Sequence, residues 1–264
     1  MLVEFLGARQ KQQLINRFRQ DQLGLPPLPW FGARYRRSPP PYLYPLPILY
    51  GCSPTLVPKP RDWSEHWQIT GAWFLNQVQD YIPPQALLEF IHASALPICI
   101  GFGSMPYHRA GELTRIVLQA LEQSGQRGIL LSGWANLGAA ELLHGATDQV
   151  FVIDAVPHDW LFPQVAAVVH HGGSGTTAAV CRAGVPSIGV PFFADQPAWT
   201  QRLADLGVSP QPIPYKKLTV ERLAAAIQQA ASDLGMRRRA AELGQRIQAE
   251  DGVVRAVEWI QNQL

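Results

Sequence analysis

The sequence has few cysteines, little charge and no long apolar run. Only three of its 264 residues are cysteine. These residues, Cys52, Cys99 and Cys181, lie far apart in the chain. An odd number of widely spaced cysteines argues against a disulfide framework and against a zinc site. We therefore expect a protein of the reducing cytoplasm.

Charge and hydropathy exclude further classes. Charged residues make up 16% of the chain, the net charge is +2, and the basic residues cluster only in short groups. This pattern argues against a nucleic-acid-binding protein. The chain has no stretch of about 18 apolar residues, which a membrane-spanning helix requires. Glu4 stands where a signal peptide would carry basic residues. These exclusions leave a globular protein. Peripheral association of such a protein with a membrane is compatible with the sequence.

The order of predicted elements indicates a doubly wound α/β domain. A helix is predicted from Leu2 to Leu23, and prolines crowd the stretch from about Gly24 to Pro60, which excludes long helices there and predicts a linker. From Leu96 onward, short continuous apolar runs alternate with amphipathic stretches, as in a Rossmann-like parallel sheet covered on both faces. The predicted strands are Pro97–Phe102, Gly128–Leu131, Val150–Ile153, Ala166–His170 and Ser187–Val190. The predicted helices are 109–124, 136–144, 175–183, 196–206, 219–232, 236–249 and 252–263.

The stretch from Val168 to Thr177 is the most informative part of the sequence. A buried strand ends in two histidines and is followed by Gly172-Gly-Ser-Gly-Thr-Thr177 at the start of a helix. Small residues at a helix N-terminus let several backbone N–H groups point at one anion. We predict a diphosphate site here, and the alternative is a glycine-rich turn around a structural histidine. The site would use His171, Gly173, Ser174, Gly175 and Thr176.

Further candidates follow the other predicted strands, because ligands of such sheets bind beyond the carboxyl ends of the strands. Asp195 and Gln196 can hydrogen-bond sugar hydroxyls, although Asp195 equally fits the N-cap of the next helix. Ser104 lies on a glycine loop where its hydroxyl can contact phosphate. Trp134 can stack on a nucleotide or cover the sheet edge. His170 is expected to support the strand, and no acidic residue or cysteine follows at the spacing of metal ligands.

These motifs, taken in order, resemble those of a known enzyme family. They are Leu49-Tyr-Gly-Cys-Ser-Pro54, Gly101-Phe-Gly-Ser-Met105, Ser132-Gly-Trp134, Val156-Pro-His-Asp-Trp-Leu-Phe-Pro163, the His171 turn and Asp195-Gln196. Over about residues 10–260 the chain resembles the sterol glucosyltransferase branch of the UDP-glycosyltransferases, which have the two-domain GT-B architecture. The resemblance implies a UDP-sugar donor, with UDP-glucose as the expected one. It also implies an inverting transfer to a sterol, lipid or other hydrophobic hydroxyl, without a metal or other cofactor.

The resemblance also assigns roles to residues. His171 and the small residues after it would bind the diphosphate, and Asp195 and Gln196 would hold the donor sugar. Val156 belongs to the nucleotide-binding motif. Two contacts of the plant enzymes are absent here: a tryptophan that stacks on uracil corresponds to Ala155, and a glutamate that binds ribose corresponds to Ala179.

The resemblance divides the chain into two parts. Residues 1–70 match the end of an acceptor-binding domain and the proline-rich linker, and residues 71–264 match the nucleotide-sugar-binding domain. The family's catalytic histidine belongs to the acceptor-binding half, which we expect in a partner polypeptide or lost from a truncated gene. A catalytically silent nucleotide-sugar-binding subunit and a sugar-nucleotide epimerase of the same architecture are the alternative functions.

Overall fold

The computed structural model describes residues 2–27, 47–75, 81–103, 110–132 and 148–262. The chain divides into two compact units, Met1–Ile48 and Leu49–Leu264. The predicted first helix, α1, spans Leu2–Leu23. Strands β1 (Ile48–Tyr50) and β2 (Trp67–Ile69) then pair as a two-stranded sheet. None of the helices in the described residues is both long enough and apolar enough to cross a membrane.

A five-stranded parallel sheet forms the centre of the larger unit and confirms the predicted α/β class. Its order is β5-β4-β3-β6-β7, and every neighbouring pair is parallel. From β3 the chain adds β4 and then β5 on one side. It then returns past β3 and adds β6 and β7 on the other side. The sheet therefore has a topological switch point between β3 and β6, where such folds bind ligands. The strands are β3 (Ile98–Gly101), β4 (Gly128–Leu131), β5 (Val150–Ile153), β6 (Ala167–His170) and β7 (Ser187–Gly189).

Helices cover both faces of this sheet. Most of them follow the sequence prediction within two residues, while the predicted helix at 136–144 lies outside the described residues. Helices α2 and α4 are short, and the sequence analysis did not predict them. The helices are α2 (Gln85–His92), α3 (Ala110–Ser124), α4 (His158–Leu161), α5 (Ser174–Ala183), α6 (Gln196–Asp205), α7 (Val220–Ser232), α8 (Leu234–Gln248) and α9 (Gly252–Gln261).

Hydrogen-bonding side chains explain where the last three helices begin. Thr219 accepts a hydrogen bond from the backbone N–H of Arg222 at the start of α7. Asp233 and Asp251 do the same for the first turns of α8 and α9. Each cap satisfies an N–H group that has no partner within its own helix.

The core has one layer on each face of the sheet, because successive side chains of a strand point to opposite faces. Ile98 and Ile100 of β3 pack on one face against α3 and α7. Cys99, between them, packs on the other face against α2 and α5. The described core residues of β3 are fully buried. Both faces of the sheet are therefore covered by helices.

Residues 49–75, which we call the crossover segment, pack on the rest of the larger unit, to which they belong. Leu56 is 2% exposed and belongs to a core cluster with residues of α5, α6 and α8. The Ser53 and Thr55 hydroxyls donate hydrogen bonds to Glu250 Oε1 at 2.8 and 2.7 Å. Arg202 Nε donates to the Leu56 carbonyl at 2.7 Å. The predicted linker thus ends in a segment that is fastened to the domain after it.

The three cysteines are free thiols. Cys99 and Cys181 are buried, and burial raises the pKa of the Cys181 thiol to about 12. A thiol with such a pKa stays protonated at neutral pH and is a poor nucleophile. These two cysteines therefore act as small apolar side chains of the core.

Candidate functional site

A pocket lies at the carboxyl ends of β3, β4 and β5, beside the start of α5. We call it the strand-end pocket. Its lining combines glycines and apolar side chains with a few polar residues. The lining includes Gly101, Gly103, Asp154, Val156, His158 and Thr176. The pocket occupies the switch point that the strand order defines, which is where the fold is expected to bind a ligand.

His171 directly follows β6 and lies between two glycines. A Cβ atom on Gly103 would lie 3.1 Å from its Cε1, and a Cβ atom on Gly173 would lie 2.4 Å from its Nε2. Glycine at both positions therefore makes the space that the imidazole occupies. The φ angle of Gly103 is +61°, a backbone conformation that residues with a side chain rarely adopt.

Burial lowers the pKa of His171, the neighbouring Asp195 opposes that shift, and His158 adds to it. The ring is therefore neutral at pH 7 and has one N–H to donate. Its Nδ1 is buried and has no hydrogen-bond partner among the described residues. A buried polar atom without a partner is uncommon in native structures and indicates a group that a ligand can satisfy.

His170 supports the strand, as expected. It is fully buried at the end of β6, and its Nδ1 accepts a hydrogen bond from the backbone N–H of Gly172 at 3.1 Å. Its Nε2 lies 2.8 Å from the Ser187 hydroxyl. Because Nδ1 is an acceptor, Nε2 carries the proton and donates to Ser187. This fixed tautomer ties β6, the glycine turn and β7 together.

His170 should make the protein sensitive to acid. Burial is the main cause that lowers the pKa of His170 to about 3, from an ordinary value of 6.5. Between those values the unfolded chain binds a proton that the folded chain does not, so the free energy of unfolding falls as pH falls. We expect a slope of about 1.4 kcal/mol per pH unit from this residue. Urea unfolding at pH 6.5, 5.5 and 4.5 measures it, and His170→Asn should have a slope smaller by about that amount. An unchanged slope would contradict the prediction.

The glycine turn presents the first turn of α5 to solvent. Gly173 is the N-cap residue, and the first helical hydrogen bond runs from Thr177 N to Gly173 O at 2.9 Å. The N–H groups of Ser174, Gly175 and Thr176 come before it and point out of the helix end. Ser174 and Gly175 are exposed. These groups and the helix dipole are arranged beside His171 as the predicted anion site requires.

Asp195 lies at the N-cap position of α6, but its carboxylate does not cap the helix. Its Oδ2 accepts a hydrogen bond from Trp199 Nε1 at 2.9 Å. Asp195 thus occupies the N-cap position, as the capping alternative expects. Its side chain, however, accepts no hydrogen bond from the backbone of the first helical turn. Ala194, just before it, has a φ of 56°, a strained conformation that positions this loop. The exposed Asp195 carboxylate is thus held by an indole on the next turn.

The side chain of Gln196 has a different role from that of Asp195. It is 4% exposed, and its Oε1 accepts hydrogen bonds from the backbone N–H groups of Phe192 and Phe193 at 2.8 and 3.3 Å. This oxygen is therefore committed to the loop that carries Asp195. Contact between Gln196 and a sugar stays a prediction, whereas its support of the loop is a feature of the structure.

A second pocket lies on the other side of the α5 start. It is lined by Ser174 and Gly175, by Trp199 of α6, and by Trp73 and other residues of the crossover segment. The predicted anion site therefore borders two pockets. Trp199 connects this second pocket with Asp195, because its indole both lines the pocket and donates to that carboxylate.

The structure brings most of the predicted site residues to one edge of the sheet. Ser104 and Trp134 lie outside the described residues, and their roles stay predictions. The sequence analysis did not single out Asp154 or Trp199. Asp154 directly follows a predicted strand, so the strand-end rule that selected Asp195 could have found it. Within the described ranges, His, Cys, Asp and Glu form no group of three that could hold a metal ion.

Comparison with known proteins gives a consistent result. Residues 135–258 match the family described as erythromycin biosynthesis protein CIII-like, C-terminal domain. The chain is 40% identical over 253 residues to sterol 3-beta-glucosyltransferase UGT80A2 of Arabidopsis thaliana. That alignment covers 96% of this chain and 38% of the plant protein, so the chain spans about two-fifths of the length of this curated relative.

Solved structures show the same fold. The glycosyltransferase of kitacinnamycin superposes with a TM-score of 0.68 at 23% identity, covering 96% of this chain and 61% of that one. The glycosyltransferase VinC, solved in complex with DTDP, superposes with a TM-score of 0.54 at 23% identity, covering 68% of this chain and 44% of that one. At these identities the comparison concerns the fold.

Proposed function

We propose that this chain, which carries the C-terminal donor-binding domain of a GT-B glycosyltransferase, binds a UDP-sugar, with UDP-glucose as the donor. The acceptor is a sterol, lipid or other hydrophobic hydroxyl. The observation that carries the proposal is the pairing of a neutral, buried His171 with the exposed first turn of α5, beside the strand-end pocket. The similarity to a plant sterol 3-beta-glucosyltransferase supports the choice of acceptor, and the DTDP complex of VinC supports a nucleoside diphosphate as the ligand.

The site would act mainly on the leaving group. When an acceptor hydroxyl attacks the anomeric carbon, the bond to the β-phosphate breaks and negative charge grows on that phosphate. His171 and the N–H groups of the α5 first turn are already oriented towards this position, so they stabilise the transition state more than the bound donor. The proposal needs no metal or other cofactor, because these groups supply the positive potential. Asp195 would hold hydroxyls of the donor sugar, with its carboxylate fixed by Trp199.

The groups that bind and deprotonate the acceptor would belong to another polypeptide segment. His158 is the histidine among the described residues that line the strand-end pocket, and it stacks on the Phe162 ring with the ring centroids 4.4 Å apart. Burial lowers its pKa. We assign it no proton transfer and place the catalytic base in an acceptor-binding half. A cytoplasmic location and peripheral contact with a membrane, through a lipid acceptor, belong to the same proposal.

Calorimetric titration of UDP and UDP-glucose into the purified chain tests the proposal. We expect both ligands to bind, and His171→Ala to weaken each by about tenfold to a hundredfold, the value of one hydrogen bond to a charged group. If the folded wild-type protein binds neither ligand, the proposed function is wrong. If both bind, addition of an acceptor-binding half separates the two remaining possibilities, because transfer should appear for a glycosyltransferase and stay absent for a silent binding subunit.

A further inference from the structure

Asp154 is the carboxylate among the residues that line the strand-end pocket. It directly follows β5 and is exposed at the rim of the pocket. Its neighbours in the lining are mainly glycines and apolar side chains, including Gly101, Leu131 and Val156. A carboxylate at this position can accept hydrogen bonds from a ligand in the pocket.

Ser132 holds Asp154 in place. The register of β4 and β5 pairs Leu131 with Ile153, so the next residues of the two strands lie side by side. The Ser132 hydroxyl donates a hydrogen bond to Asp154 Oδ1 at 2.6 Å, and its backbone N–H donates to the Ile153 carbonyl at 3.0 Å. Ser132 is 8% exposed, so this donor is itself fixed by packing. The two carboxylate oxygens offer about four acceptor positions, which leaves Asp154 able to accept from a ligand.

The position of the pocket decides which part of the ligand reaches Asp154. Thr176 belongs both to the first turn of α5 and to the pocket lining. A group in this pocket therefore lies next to a diphosphate bound at that turn. The proposed sugar ligand, Asp195, is hydrogen-bonded to Trp199, which lines the second pocket, so the sugar is assigned to that side. The nucleoside, on the other phosphate, is then the group that enters the strand-end pocket.

Chemistry then separates the ribose from the base. A carboxylate accepts hydrogen bonds from vicinal hydroxyls without opposing charge, as acidic residues at strand ends do for ribose in other doubly wound folds. The pairing edge of uracil places its one N–H between two carbonyl oxygens, and these oxygens would lie close to the carboxylate and be repelled. The ribose hydroxyls are therefore the better partners.

We propose that Asp154, held by Ser132, determines ribose specificity by accepting a hydrogen bond from the 2′-hydroxyl of the donor nucleotide. This inference rests on the proposed function, because it names the nucleotide contact of the same site. Ser132 is a positioning residue, since it would act through Asp154.

Paired titrations of UDP and 2′-deoxy-UDP test the inference without any acceptor. We expect wild-type protein to prefer UDP by about tenfold, as for a hydrogen bond between a hydroxyl and a charged group. Asp154→Asn should reduce the preference to about twofold or less, because a neutral amide oxygen accepts more weakly. Ser132→Ala should give an intermediate preference. Asp148→Asn is the matched control, because it removes the same charge from the exposed residue near the opposite end of β5 and should leave the preference unchanged.

The outcomes distinguish this inference from the proposed function. If Asp154→Asn binds UDP and keeps the tenfold preference, the inference is overturned and the proposed function stands. The same holds if the variant alters the preference between UDP and CDP but not that between UDP and 2′-deoxy-UDP, since Asp154 would then contact the base. If Asp154→Asn does not fold, an unchanged preference in Ser132→Ala overturns the inference. Failure of the folded wild-type protein to bind UDP overturns both.

Discussion

Gly173→Ala is expected to weaken the binding of UDP and UDP-glucose by more than a hundredfold while the protein stays folded. A Cβ atom at this position would lie 2.4 Å from His171 Nε2. The φ of Gly173 is −62° and its ψ is 142°, which alanine adopts without strain, so the imidazole must move instead of the backbone. The ring would lose its place between the two glycines, and the new methyl group would occupy part of the anion site. Calorimetry with both ligands gives the affinities, and circular dichroism checks the fold.

Gly175→Ala is the matched control for this prediction. Gly175 lies on the same turn of α5, and a Cβ atom there would meet no atom within 4 Å. Alanine also favours the helix more than glycine does, by about 1 kcal/mol. Because alanine keeps the Gly175 N–H that the proposed site uses, we expect this variant to lose much less affinity than Gly173→Ala. If both alanine variants lose binding to the same degree, the effect belongs to the turn as a whole and the assigned role of the imidazole position is wrong.

Gly252→Ala is expected to lower the free energy of unfolding of the larger unit by about 3 kcal/mol. A Cβ atom on Gly252 would lie 2.5 Å from the Gly71 carbonyl oxygen and 2.6 Å from that of Ala72. Both atoms belong to backbone, so neither can turn aside as a side chain would. Gly71 has a φ of +114°, which holds the crossover segment in the conformation that permits this contact. The melting temperature should fall by roughly 6–12 °C for a unit of this size.

Thermal unfolding followed by circular dichroism measures this effect. Gly175→Ala again serves as the control and should melt at the wild-type temperature or slightly above it, because no atom opposes its methyl group. Hydrogen exchange gives a second measurement. In Gly252→Ala, the amide of Gly71, which donates to the Cys52 carbonyl at 3.2 Å, should exchange faster than in the wild-type protein. A variant with unchanged melting temperature and exchange would show that the two backbones can separate at little cost.

The sequence predicted the sheet well because local and global signals agree there. Strands β3, β4 and β6 are largely continuous apolar runs, and both faces of the sheet are covered there, so the sequence pattern reflects the burial of these strands. Strands β4 and β5 have the predicted bounds. Helix α2 was missed although its buried residues Leu87, Phe90 and Ile91 have helical spacing, because its eight residues give only about two turns of that pattern. Helix α4 has only four residues, about one helical turn, so no pattern repeats within it.

The functional site was predictable only in part. The turn after His171 could be found because the residues that form it are consecutive. Trp199 could not, because its importance depends on a hydrogen bond to Asp195 across one turn of α6, and a tryptophan in an amphipathic helix usually indicates core packing. Gln196 shows the opposite case. Its residue type suits sugar binding, yet its side-chain oxygen holds the backbone of the preceding loop.

The attachment of the crossover segment has a consequence for exchanging domains between related proteins. Its hydroxyl groups bind Glu250, and its backbone meets Gly252, so residues 49–75 are fitted to the turn between α8 and α9. A chimera joined near residue 70 would pair this turn with a foreign segment and lose those contacts. A join within the proline-rich stretch before residue 47 would transfer both sides together. A transferable unit of this domain therefore begins well before its first parallel strand.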